Sequence, residues 1–127
     1  MRHQVKGYRL NRSSNHRKNM RRTMICQLFT HERIRTTQAK AMSIRSEAES
    51  LINIAAKSES EDEIGKMNAR RLVASKLGNA PDTVKKLFEE IGPRYTDRSG
   101  GFTRMFKLGP RVGDASEMVL LELVEKN

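Results

Sequence analysis

The chain has 127 residues, with 25 Lys and Arg against 15 Asp and Glu and a net charge of +10, long enough for one domain that folds without staples. A single cysteine, Cys26, excludes an internal disulfide, no apolar run approaches the ~18 residues of a membrane span, and the polar start lacks the apolar stretch of a secretory signal. The charge excess points to a polyanion, nucleic acid before an anionic membrane surface.

That excess is uneven. Residues 1–45 hold twelve Lys or Arg and one acid, Glu32, for a net of +11, whereas residues 46–127 come to −1. The pattern predicts a basic arm on a nearly neutral body. Residues 1–12 carry no apolar period and are expected to be extended or ordered only by a partner. Within RLNRSSNHRKNMRR (9–22), six of fourteen residues are Lys or Arg and none is acidic.

Ser13, Ser14 and Asn15 are N-cap candidates for a helix over 15–31 that presents Met20, Met24, Ile25, Leu28 and Phe29 at helical spacing. Its cations and apolar residues separate lengthwise rather than by face. Arg17, Lys18, Arg21 and Arg22 crowd the positive end of the helix dipole, which is unfavourable until an anion docks there. A short strand follows at 33–36 with Ile34 inward. Thr36 or Thr37 then caps a helix to about Lys57, buried along Ala41, Ile44, Ala48, Leu51, Ile52 and Ala55.

Ser60 and Glu63 read as a capping box for a helix over 58–77. Its cations Lys66, Arg70, Arg71 and Lys76 follow ordinary helix charge order and receive no RNA role. Val84, Leu87, Phe88 and Ile91 mark a helix that Gly92 and Pro93 should stop. The period then changes. Residues 102–108 alternate Phe102, Phe106 and Leu108 with Thr103, Met105 and Lys107, and Arg104 falls on the aromatic side, at a rim or beside a partner. Residues 118–124 form a second strand, and Gly109, Pro110, Gly113 and Asp114 make the turn of an antiparallel hairpin. The expected fold is α+β: about four helices beside a small, about three-stranded sheet, with the arm at 1–14 and one globular domain at 15–127.

Three basic patches are candidate nucleic-acid contacts. The arm and first helix offer Arg2, Lys6, Arg9, Arg12, Arg17, Lys18, Arg21 and Arg22 for phosphate, by bidentate guanidinium or by ammonium. His3 and His16 are candidates for stacking or donating, and Ser13 and Ser14 for capping or donating to phosphate. Arg35, Thr36, Thr37 and Lys40 form a second patch, in which the threonines also serve to end the strand and cap the helix, the reading favoured for Thr36. Arg94, Arg98 and Arg104 flank Gly100 and Gly101 in a third, where the two glycines are too short a signal for a nucleotide-binding loop, and Arg111 next to the final turn is a similar, weaker case. An enzyme is disfavoured: the histidines at 3, 16 and 31 have no metal-ligand company, no cofactor motif is present, and Cys26 is expected to be a buried, inert thiol. A DNA-binding nucleoid or regulatory protein is the alternative. A DNA reader would place its cations on a compact recognition helix, whereas a basic arm running into a helix suits penetration of folded RNA.

Ordered motifs then accumulate along the whole chain: M-R-H at 1–3, L-N-R at 10–12, H-R at 16–17, I-R-T-T-x-x-K-A at 34–41, G-G-F-T-R at 100–104, R-V-G-D at 111–114 and E-L-V at 122–124. In this order and spacing the chain resembles the family of the bacterial ribosomal large-subunit protein numbered seventeen. The resemblance implies a helical body beside a small sheet. It also implies a structural component of the large subunit in the bacterial cytoplasm that binds its rRNA near the polypeptide exit region. The expected partners are that rRNA and neighbouring large-subunit proteins, with one copy per ribosome and no membrane, small-molecule substrate, cofactor or metal. Residues 58–79 carry none of these motifs.

Overall fold

The computed structural model describes Leu10 and residues 12–124. The candidates Arg2, His3, Lys6 and Arg9, and most of the expected arm, lie outside the described residues. Helix α1 spans Ser14–His31, capped by Ser13, whose Oγ accepts from the His16 N–H at 3.3 Å. It ends at Glu32 in the left-handed region (φ 65°), where the Glu32 N–H closes the last turn on the Leu28 carbonyl at 2.7 Å. Met24, Ile25, Leu28 and Phe29 are buried while the first turns stay outside the core, so the lengthwise split of charge and apolarity holds.

Strand β1 (Arg33–Thr37) leads into α2 (Gln38–Ser58), with Thr37 Oγ1 accepting from the Lys40 N–H. Each residue of the predicted α2 stripe is buried, and its alanines let neighbouring elements approach closely. Helix α3 (Glu63–Lys76) is capped by Asp62, not Ser60: Asp62 Oδ1 accepts from the Gly65 N–H at 2.8 Å. The physical reason is that α2 unwinds through 3₁₀-type turns, in which the N–H groups of Glu59, Ser60 and Glu61 reach the carbonyls three residues back. Ser60 is still part of that turn, and its hydroxyl donates to the Lys57 carbonyl.

Helix α4 (Pro81–Lys86) does not stop at Gly92. It runs through a π-helical turn (Leu87–Ile91) into a last helical turn (Gly92–Arg94). The Gly92 N–H donates to the Leu87 carbonyl five residues back, and this wider winding relieves the clash a proline makes with the carbonyl four residues before it. Gly92 serves close packing: a Cβ there would sit 3.1 Å from the Ala55 carbonyl carbon and from the Leu87 oxygen.

Strands β2 (Thr103–Pro110) and β3 (Glu117–Leu123) complete an antiparallel sheet in the order β1-β3-β2. Its inner face sets Ile34, Met105, Val119, Leu121 and Leu123 against the helices. The predicted faces of β2 are corrected here. Phe102 is buried but lies just before the strand, packed against Tyr95 with ring centroids 5.1 Å apart and the rings tilted by 45°. Thr103, the first strand residue, is also buried, so every later residue takes the opposite parity, and Phe106 and Leu108 face outward. A carboxylate on α2 sets that parity: Glu49 Oε1 accepts from both the Thr103 N–H (3.2 Å) and its hydroxyl (2.9 Å), and Arg45 donates to the same hydroxyl. The Tyr95 hydroxyl donates to the Val124 carbonyl and closes the domain. The structure is α+β, as read from the sequence.

Candidate nucleic-acid interface

The first turn of α1 contains no acid: Ser13 Oγ caps the His16 N–H, and the charges gathered at this positive end of the helix dipole are cations. Arg12 Nη1 donates to the Leu10 carbonyl at 2.9 Å, and Arg17 Nη1 to the Arg12 carbonyl at 3.3 Å, which folds the chain entering α1 onto the helix. Ser14 is the first helical residue, and it and His16 are exposed. One turn on, Lys18, Arg21 and Arg22 share an open hollow of about 300 Å³ with Glu47, Ser75 and Lys76. Arg21 Nε lies 3.7 Å from Glu47 Oε2, a loose pair between two partly exposed side chains.

Arg22 differs from its neighbours. Its Nε and Nη2 donate to the carbonyls of Lys76 and Ser75, at 3.1 and 3.3 Å, and so cap the C-terminal end of α3. Cations there oppose the negative end of the helix dipole. Lys76, given no RNA role from its position in the sequence, stands beside this cluster because α3 ends against α1; two elements distant in the chain supply one hollow, and no local spacing announces that.

The second and third patches partly merge. Arg33 and Arg104 both stand opposite Glu122, on either side of β3, and Arg35 stands opposite Leu120, whose other neighbour is Phe106. Arg111 joins them: with Arg35, Leu108, Pro110 and Met118 it lines an open hollow of about 420 Å³ on the outer side of the sheet. Arg111 also holds Asp114 by two hydrogen bonds, at 3.1 and 2.6 Å. These bonds keep the exposed Asp114 carboxyl well below the usual carboxylate range. Arg104 donates to Glu122.

Other candidates stand apart from this face. Thr37 caps α2 and Lys40 is half-buried beside it. Arg94 donates to Glu32, and Arg98 to the Gly100 carbonyl at 3.1 Å. The hydrogen bond from Arg94 and the charge of Lys86, 3.5 Å from the carboxylate, hold the Glu32 pKa down. Burial raises that of Tyr95. Cys26 departs from its expected burial. It is half-buried and lines a groove of about 300 Å³ with Arg22, Thr23, Thr30 and His31, because it sits on the flank of α1 between the core residues Ile25 and Leu28 and the surface.

Alternation misplaced Phe102, which lies before the strand, whereas Phe106 keeps its predicted face beside Arg104. Among the described residues Phe106 is the exposed aromatic, at 46% exposure, while Phe29, Phe88, Tyr95 and Phe102 are buried. Its signal was already present: Arg104, two residues before it in a strand, shares its face.

The family described as Ribosomal protein L17 matches residues 20–124. The chain is 45% identical to a protein of Trichlorobacter lovleyi over 99% of its own length and 95% of the relative's. It is 46% identical to one of Rubrobacter xylanophilus over 98% and 96%, and 44% identical to one of Pelobacter propionicus over 99% and 93%. Each of the three carries the name Large ribosomal subunit protein bL17. On the extent of these matches, the chain belongs to the ribosomal protein L17 family.

Proposed function

We propose that the protein is a structural constituent of the large ribosomal subunit in the bacterial cytoplasm, held there by rRNA that it grips through residues 1–14 and the start of α1. As a member of a ribosomal protein family it is a structural component and not an enzyme. The observation that carries the RNA-binding reading is the acid-free start of α1, where Arg12, Arg17 and Lys18 accompany unpaired backbone donors. These groups suit phosphate oxygens, and their number makes affinity steeply salt-dependent. Few contacts to base edges are expected on this helix; a rigid folded RNA is recognised there by the positions of its phosphates. On this reading the protein sits near the polypeptide exit region, among neighbouring large-subunit proteins and as one copy per ribosome.

Sedimentation of the tagged protein from a bacterial lysate tests this. The protein is expected to migrate with the large subunit, to resist a moderate salt wash and to be released by ribonuclease. Deleting residues 1–12 and replacing Arg17, Lys18 and Arg21 with Gln should weaken binding to purified large-subunit rRNA and flatten its salt dependence. Unchanged binding would refute the role of this end of the molecule.

A further inference from the structure

The outer face of the sheet pairs exposed aromatic and apolar side chains with excess positive charge. One cross-strand row reads Arg33, Glu122, Arg104, and the next reads Arg35, Leu120, Phe106. The two rows therefore carry three guanidinium groups and one carboxylate, and Arg104 takes that carboxylate. Among the described residues, Arg33 and Arg35 have no acid within ion-pair distance. Arg104 also lies over the Phe106 ring, its guanidinium carbon 5.2 Å from the ring centre. Glu122 on one side and the ring on the other hold this guanidinium in place, with half of the side chain still exposed.

We propose that this face binds an unpaired nucleotide of the ribosomal RNA, its base stacked on the Phe106–Arg104 pair and its phosphate on Arg35. This rests on the rRNA-binding reading above and extends it to a second site. The face has a net positive charge, which favours an anionic partner. Phe106 and the Arg104 guanidinium are both planar, and proteins stack splayed-out bases on such surfaces. Paired bases stay stacked within their own helix, which limits the occupant to a loop, bulge or junction nucleotide. The spacing suits one nucleotide: β1 and β2 flank β3, so Arg35 and Phe106 are about 10 Å apart at the backbone, and an Arg side chain leaning across Leu120 closes most of that gap. Past the bulge between Lys107 and Gly109, the hollow lined by Leu108, Pro110 and Met118, with Arg35 and Arg111 beside it, receives the sugar or the next base.

The chain has no tryptophan, so Phe106→Trp installs a single fluorescent reporter at the proposed stacking position. On titration with purified large-subunit rRNA, its emission is expected to fall by about half or more as a base stacks on it, with affinity within about twofold of the wild type. Polyphosphate, which occupies cations but has no bases, should leave the emission unchanged. Phe106→Leu keeps an apolar side chain but removes the stacking plane, and should weaken rRNA binding roughly 5- to 100-fold. Because Phe106 is exposed, both variants are expected to melt with the wild type, which a thermal scan checks. An unquenched Trp, or wild-type affinity in Phe106→Leu, overturns this inference while wild-type rRNA binding upholds the general reading. Failure of the wild type to bind rRNA overturns both. If Phe106→Leu keeps its rRNA affinity but loses crosslinking to a neighbouring protein in reconstituted subunits, the face docks an acidic protein segment and the nucleotide assignment is wrong.

Discussion

Glu32 and Arg94, 62 residues apart in the chain, are joined by a direct carboxylate–guanidinium hydrogen bond, with Lys86 Nζ 3.5 Å from the other carboxylate oxygen. Glu32 is the one acid in the first 45 residues. The structure commits it to an internal bracket between the end of α1 and the α4 segment, so it neutralises none of the cations at the start of α1.

This bracket predicts acid sensitivity. The Glu32 pKa is lowered below its ordinary 4.5 by the folded structure, so its contribution is complete above about pH 4.5 and fades as the pH falls through the lowered value. Urea denaturation between pH 7 and pH 3 should show the wild type losing more stability than Glu32→Gln. At pH 7 the variant should be less stable by about 0.5–1 kcal/mol, a modest figure because the carboxylate is more than a third exposed.

Arg22 and Lys18 sit in one hollow but should behave differently. Arg22→Ala removes the donors to the last carbonyls of α3. It should cost about 1 kcal/mol, or roughly 3–6 °C in melting temperature. Lys18→Ala should leave the melting temperature within about 1 °C and instead lower the slope of log affinity for rRNA against log salt by about one. Calorimetry and a salt titration on both variants check the pair.

Gly92→Ala tests the packing of the π-helical turn on α2. The added Cβ would press on the Ala55 and Leu87 backbones at 3.1 Å, which yield less readily than a side chain. A loss of about 1–3 kcal/mol in chemical denaturation is expected, although Ala is ordinarily the better helix former.

Cys26 lines a groove rather than lying in the core. A small aromatic disulfide reagent should therefore label the folded protein more slowly than the unfolded chain, but well ahead of global unfolding. Labelling followed by absorbance, beside an unfolding time course, separates the two rates.

The helical part of the fold was legible because burial there repeats at helical spacing. Ala41, Ile44, Ala48, Leu51, Ile52 and Ala55 form the stripe and are buried without exception. Other features depended on distant partners. The parity of β2 follows from the bonds of Thr103 to Glu49, 54 residues earlier, so alternation alone grouped Phe102 with Phe106. Gly92 and Pro93 carry the ordinary stop signal, and a π turn packed on Ala55 overrides it. At the candidate interface, the cations of α1 were visible as a run. The sharing of a hollow by Lys76 and Lys18, and of the sheet face by Arg35, Arg104 and Arg111, needed the fold.

The sheet order also sets when the molecule can be finished. Within the sheet, strands β1 and β2 pair only with β3, the last strand among the described residues. During synthesis Arg33–Thr37 has no sheet partner until Glu117–Leu123 has emerged, about 80 residues later, and that closure pays the loop entropy at once. The cation-rich start of α1 is local and is ready early. The Arg104–Phe106 face exists only once Glu117–Leu123 has emerged, so the two basic surfaces of the molecule are completed at different times.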